Sequence, residues 1–156
     1  MLWLGLHLPQ WPLQSISRAL THTLAFAITD NRQTAKLYCC NSLARQQGLY
    51  PGMSLSAAYA LNPNLIAKPR DLIREQAALE RLAAWGLQFT SNVSVVPPQA
   101  LLFEIGNSES YFGNRQNLLL QITNGLDELG YQAHYAVAPT AKAALWLAAN
   151  NTKFII

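Results

Sequence analysis

The sequence predicts an α+β fold, an antiparallel sheet backed on one face by helices and interrupted by a small helical insertion. Two observations carry this expectation. With residues 30–69 set aside, the remaining apolar runs read as strand, helix, strand, helix, hairpin, helix, strand, helix. Hydrophobic residues make up 51% of the chain and charged residues only 12%, which allows a dry core and argues against disorder. A length of 156 residues suits one such domain carrying a compact insertion.

Residues 2–8 read as a buried strand, and Pro9 and Pro12 punctuate the turn into a helix with Leu13, Ile16 and Leu20 on one face. Residues 24–29 form a second strand, ended by the turn-forming Asp30-Asn31, and residues 35–39 a third. Asn41 is an N-cap for a short helix through Arg45 that Gly48 closes. After Pro51-Gly52, Ser54 caps a helix over residues 55–61, stopped by Asn62-Pro63, and residues 65–67 give a brief strand. From Asp71 a long helix runs to about Trp85, with Leu72, Leu79, Leu82 and Ala83 facing inward.

The second half continues with a hairpin, residues 89–96 and 101–105, broken by Pro97-Pro98. A helix from about Asn114 carries the stripe Leu118, Leu119, Ile122, Leu126 and Leu129 and ends at Gly130. Residues 132–138 form the last strand, and Thr140 caps a final helix reaching Ala149.

Composition narrows the chemistry. Eleven Lys and Arg against eight acids give a net charge of +3, which permits contact with a phosphate backbone without demanding it. Of the eight carboxylates, only Glu104 stands inside an apolar, strand-like run, Leu101-Leu102-Phe103-Glu104-Ile105. Cys39 and Cys40 are adjacent and have no second pair with which to build a zinc site, so both read as reduced core residues. The apolar opening, Met1 to Leu6, is too short for a membrane span and lacks a basic leader or cleavage site. A cytoplasmic protein without membrane contact is expected. No Walker or dinucleotide glycine loop occurs, and the serines lack a His/Asp arrangement. His22 and His134 are isolated in sequence and read as structural or surface residues.

The element order, together with Asn41-Ser42-Leu43-Ala44-Arg45, Gly48 and Pro51-Gly52-Met53-Ser54, resembles the palm and fingers of Y-family translesion DNA polymerases. Residues 93–105 are similar to that family's acid-bearing hairpin, and residues 135–142 fall where it carries a Val-Gly-Ile-Ser-x-x-Lys run. Within the family, four blocks resemble its ImuB-like mutagenesis accessory branch: Leu6-His7-Leu8-Pro9-Gln10, residues 51–58, residues 77–85 and Ala136-Val137-Ala138-Pro139-Thr140. The resemblance implies a palm in two parts, residues 1–29 and 70–156, around a fingers-like insertion at 30–69, with thumb and little finger absent.

It also implies where chemistry should be. Active members hold two metal ions on strand-borne acids, and the matching positions here are His7, Pro9, Gln99, Ala100 and Glu104. Imidazole suits a transition metal better than Mg²⁺, which prefers oxygen, and a lone His beside a strand end, as His7 is, is more often a hydrogen-bonded structural residue. Glu104 is open to two readings, a surviving metal carboxylate or a solvent-facing residue of an alternating strand. One carboxylate cannot support an in-line displacement between two metals. The expectation is therefore an inactive scaffold without metal or cofactor. Arg45 and Lys142 match nucleotide-phosphate positions, but Ser42 replaces the fingers tyrosine and Trp146 the phosphate-facing lysine. Lys68, Arg70 and Arg74 form a basic cluster fit for weak, sequence-independent contact with DNA backbone, or simply a solvated helix start. Trp11, Trp85 and Trp146 are open to base stacking or to core packing.

The resemblance further implies partners: the sliding clamp, a RecA-like companion protein and an error-prone C-family polymerase. Two rival readings stand beside it. One is a residual nucleotidyltransferase or nucleotide-binding regulator using Arg45, Glu104 and Lys142. The other is an α+β protein-interaction module with no role on DNA.

Overall fold

The computed structural model describes residues 1–17, 24–30, 33 and 35–151. The sequence expectations for Leu20, His22 and Asn31 lie outside the described residues. In chain order the elements are β1 (Trp3–His7), α1 (Trp11–Ser17), β2 (Phe26–Thr29), β3 (Leu37–Cys40), α2 (Ser42–Gln46), α3 (Leu55–Leu61) and β4 (Ile66–Pro69). These are followed by α4 (Leu72–Gly86), β5 (Val93–Val96), β6 (Ala100–Glu104), α5 (Arg115–Leu129), β7 (His134–Ala138) and α6 (Ala141–Ala149). They form two compact units, one of Met1–Pro9 with Glu75–Ile156, the other of Gln10–Arg74.

The first unit holds a four-stranded antiparallel sheet in the order β5-β6-β1-β7. With α4 and α5 as connections this is the split βαβ arrangement, β1-α4-β5-β6-α5-β7. Side chains alternate across β1, so Leu4 and Leu6 share one face with Leu101, Phe103 and Val137, their register partners on β6 and β7. All five are buried. Helix α4 covers that face at close range: a β-carbon on Gly86 would sit 2.6 Å from the Phe103 ring. Helix α5 lies against α4 where Gly125 meets the Trp85 indole.

The sheet carries helices on both faces, not on one as the sequence pattern indicated. Gly5 explains the difference. It points away from Leu4 and Leu6, and a β-carbon there would lie 2.6 Å from the Ala144 carbonyl oxygen, so α6 rests directly on the strand backbone. Leu102, Ala138 and Ala144 are buried together on this side, with Trp3, Ala141 and Leu145 around them. Small residues on α6 permit the approach that Gly5 requires.

Residues 10–29 also sit differently from the expected first part of the palm. Strand β2 pairs antiparallel with β3 and parallel with β4, in the order β3-β2-β4. Both of its edges are filled, so it has no free edge for the four-stranded sheet. Its two faces pack separately: Phe26 and Ile28 with Leu13 and Cys39, Ala25 and Ala27 with Cys40, Ala44, Leu49 and Ala58. Cys39 and Cys40 are buried and form no disulfide. A further correction concerns Leu72, which is exposed. The first turn of α4 belongs to the Gln10–Arg74 unit, and the buried face begins with Glu75, Ala78, Leu79 and Leu82.

The caps follow local chemistry. Asn41, Ser54, Asn114 and Thr140 each accept a hydrogen bond from a backbone N–H three residues on. Gly130 closes α5 in the left-handed region, φ 82°. Asn41 is buried and does more: its Oδ1 also accepts from the Phe26 N–H, and its Nδ2 donates to the Leu24 carbonyl.

Candidate functional site

Strand β1 delivers His7 to its C-terminal end, where it pairs with Ala100 on β6 and with His134 on β7. Directly opposed residues share a face, so the two imidazoles stand side by side. Their ring centroids are 6.2 Å apart with 28° between the planes. Burial pushes His7 below the usual histidine range, and the neighbouring His134 adds to the effect. Beyond the pair, the Leu8 N–H donates to the Gln99 carbonyl at 2.9 Å and Gln99 Nε2 donates back to the Leu8 carbonyl at 3.0 Å. Pro9 then turns the chain out of the strand.

Glu104 occupies the far end of β6, opposite Trp3. It lies four positions along the strand from Ala100, about 14 Å at roughly 3.4 Å per residue. It is only 9% exposed, so the solvent-facing reading fails. Its Oε1 accepts from the Gly106 N–H at 2.9 Å and the Leu2 N–H at 3.4 Å. Its main chain is fastened as well, with Thr90 Oγ1 donating to its carbonyl at 2.6 Å. The carboxylate serves two backbone donors where the chain leaves the sheet, at the edge of a groove of about 440 Å³ lined by Ser91, Asn92 and Asn107.

Lys142 and Trp146 stand one turn apart on α6, and both are exposed, Trp146 by 65%. Trp11 is fully buried and is a core residue, while Trp85 is half-buried and packs edge-on to Phe89 with centroids 5.0 Å apart.

In the Gln10–Arg74 unit, Arg45 lies exposed in the last turn of α2. Burial pushes the Cys40 thiol up, and Arg45 beside it opposes that shift. Lys68, Arg70 and Arg74 line one groove of about 530 Å³ with Ile16, Asp71, Leu72 and Ile73. Asp71 accepts from the Arg74 N–H at 3.0 Å and so caps α4. The Arg70 guanidinium sits 4.3 Å above the centre of the Tyr38 ring.

His7, Gln99 and Ala100 therefore meet at one strand end, Glu104 stands at the other end of β6, and the three cations share a groove within their own unit. Sequence reading missed His134. Nothing near it in the chain signals a partner; only the register of β7 against β1 brings it to His7.

A split βαβ sheet with an added helix, joined to a small second unit, is the layout of a Y-family palm and fingers. The model of the impB/mucB/samB family matches residues 13–149, and the chain belongs to that family. It is 33% identical over 101 residues to Protein ImuB of Caulobacter vibrioides (strain NA1000 / CB15N), a stretch that is 65% of this chain and 22% of that protein. The fold is similar to DinB from Sulfolobus solfataricus, with a TM-score of 0.69 at 16% identity, covering 99% of this chain and 48% of that one. A post-insertion binary complex of Dbh DNA polymerase gives 0.75 at 17% identity, covering 100% of this chain and 48% of that one. The chain thus spans about half the length of these solved structures.

Proposed function

We propose that this chain is a catalytically silent palm-and-fingers portion that acts as an accessory scaffold in translesion synthesis and damage-induced mutagenesis. One observation carries the proposal. Where the family holds metal-binding acids, β1 and β6 place His7 against Ala100, with Gln99 spending its amide on the Leu8 carbonyl. An imidazole, a methyl group and a neutral amide do not fit a pair of Mg²⁺ ions, which need hard oxygen donors and negative charge. Glu104 stands at the other end of the strand with Oε1 committed to backbone donors.

The retained fold supports a role on DNA that needs shape and positive charge without catalysis. Lys68, Arg70 and Arg74 in one groove suit phosphate contacts, which carry affinity without sequence preference. The partners implied by the resemblance, the sliding clamp, a RecA-like protein and an error-prone C-family polymerase, would supply synthesis and recruitment.

Two measurements test this reading. Filter binding of primer–template DNA across a salt series should weaken as salt rises. Replacing Lys68, Arg70 and Arg74 with Gln should reduce the slope by about 0.9 for each phosphate contact removed. Thermal shift with dNTP and Mg²⁺ should stay flat. A saturable dNTP shift would favour the residual nucleotide-binding reading, and no DNA binding at low salt would favour an interaction module.

A further inference from the structure

We propose that His7 and His134 form a two-imidazole site for a borderline divalent transition metal ion of the Zn²⁺, Ni²⁺ or Cu²⁺ class. The site is independent of the accessory reading above. It rests on the register of β1 and β7, which sets the two histidines directly opposite on one face of the sheet. Opposed residues of an antiparallel pair have Cα atoms about 4.5–5.5 Å apart. With ring centroids at 6.2 Å, modest rotation about the side-chain bonds brings a nitrogen of each onto one ion at about 2.0–2.1 Å.

Three further features suit such an ion. His134 Nδ1 is buried and makes no hydrogen bond, so a nitrogen atom of this pair lacks the partner that a buried polar group normally finds. Ligation needs neutral imidazole, and burial already disfavours the charged form of His7. On the other flank of His7 stands Ala100, whose methyl group offers no donor, so water or another small ligand would complete the coordination. Nitrogen donors without a carboxylate select transition metals and reject Mg²⁺. The site therefore takes a different ion from the one an active palm uses. Two protein ligands leave positions open, which sets an affinity well below that of a closed four-ligand structural site.

The test is a metal titration of the tag-free chain with its cysteines kept reduced. Calorimetry should show one ion bound per chain, with Cu²⁺ tighter than Ni²⁺ or Zn²⁺, and millimolar Mg²⁺ should not compete. His7→Ala and His134→Ala should each weaken binding by about tenfold or more, the loss of one of two ligands. His22→Ala, which removes the remaining histidine, should leave it unchanged. The wild-type chain gives a reading that needs no variant to fold: substoichiometric Cu²⁺ should broaden the amide signals of His7, Ala100 and His134 first. Unchanged affinity in both folded His variants, or broadening that begins elsewhere, would overturn the proposal.

Discussion

The two ends of the β1–β6 pair, about 14 Å apart at roughly 3.4 Å per residue, carry opposite chemistry. At one end His7 faces Ala100, two residues with no negative charge between them. At the other, Trp3 faces Glu104, a buried acid whose oxygen is taken by the Gly106 and Leu2 N–H groups. The contrast teaches that an acid's place in the ladder matters more than its presence. An isolated carboxylate in an apolar run looks catalytic in sequence, yet here it satisfies backbone donors where a strand ends.

The largest expected effect lies between the two ends. Gly5→Ala drives a β-carbon to within 2.6 Å of the Ala144 carbonyl, which is backbone and cannot rotate away. Urea denaturation should show a loss of about 3 kcal/mol or more. A cost near zero would mean that α6 does not seat on this strand.

The comparison itself is probed next. Glu104→Ala strands two backbone N–H donors, one of them at 2.9 Å, and should cost about 2–3 kcal/mol by the same method. Glu104→Gln keeps an acceptor oxygen and should cost less, about 1 kcal/mol. Ala100→Ser at the other end should change stability by no more than about 0.5 kcal/mol. If Ala100→Ser proved the more damaging change, the contrast between the ends would be broken.

The smallest effect sharpens the point in the Gln10–Arg74 unit. Cys40, like Glu104, is a buried titratable group, but it packs in an apolar cluster where Glu104 accepts from backbone donors. Burial raises its thiol above the ordinary value, so the unfolded chain ionises first as pH rises. Its contribution to stability is complete below about pH 8.5 and is lost as pH climbs through the folded value. Urea midpoints between pH 8 and 10 should fall more steeply for the wild type than for Cys40→Ala. Parallel curves would show that the thiol titrates freely.

Much of this fold was legible because its signals are local. Asn41, Ser54, Asn114 and Thr140 each sit one residue before their helices, and Gly130 ends α5 where the stripe of leucines stops. What escaped was set by distant partners. Nothing in Phe26–Thr29 says that β3 and β4 will fill both its edges. Gly5 reads as an ordinary weak point in a strand until α6 is laid across it. The same holds for the site. That His7, Gln99 and Ala100 carry no carboxylate was visible as residue types, whereas the burial of Glu104 and the approach of His134 to His7 arise only from register.

Primer extension tests the central claim most directly, using the natural protein that carries this chain and either Mg²⁺ or Mn²⁺. The account predicts no templated incorporation above a no-protein control. Nucleotide addition that survives purification to homogeneity and disappears in His7→Ala would contradict it.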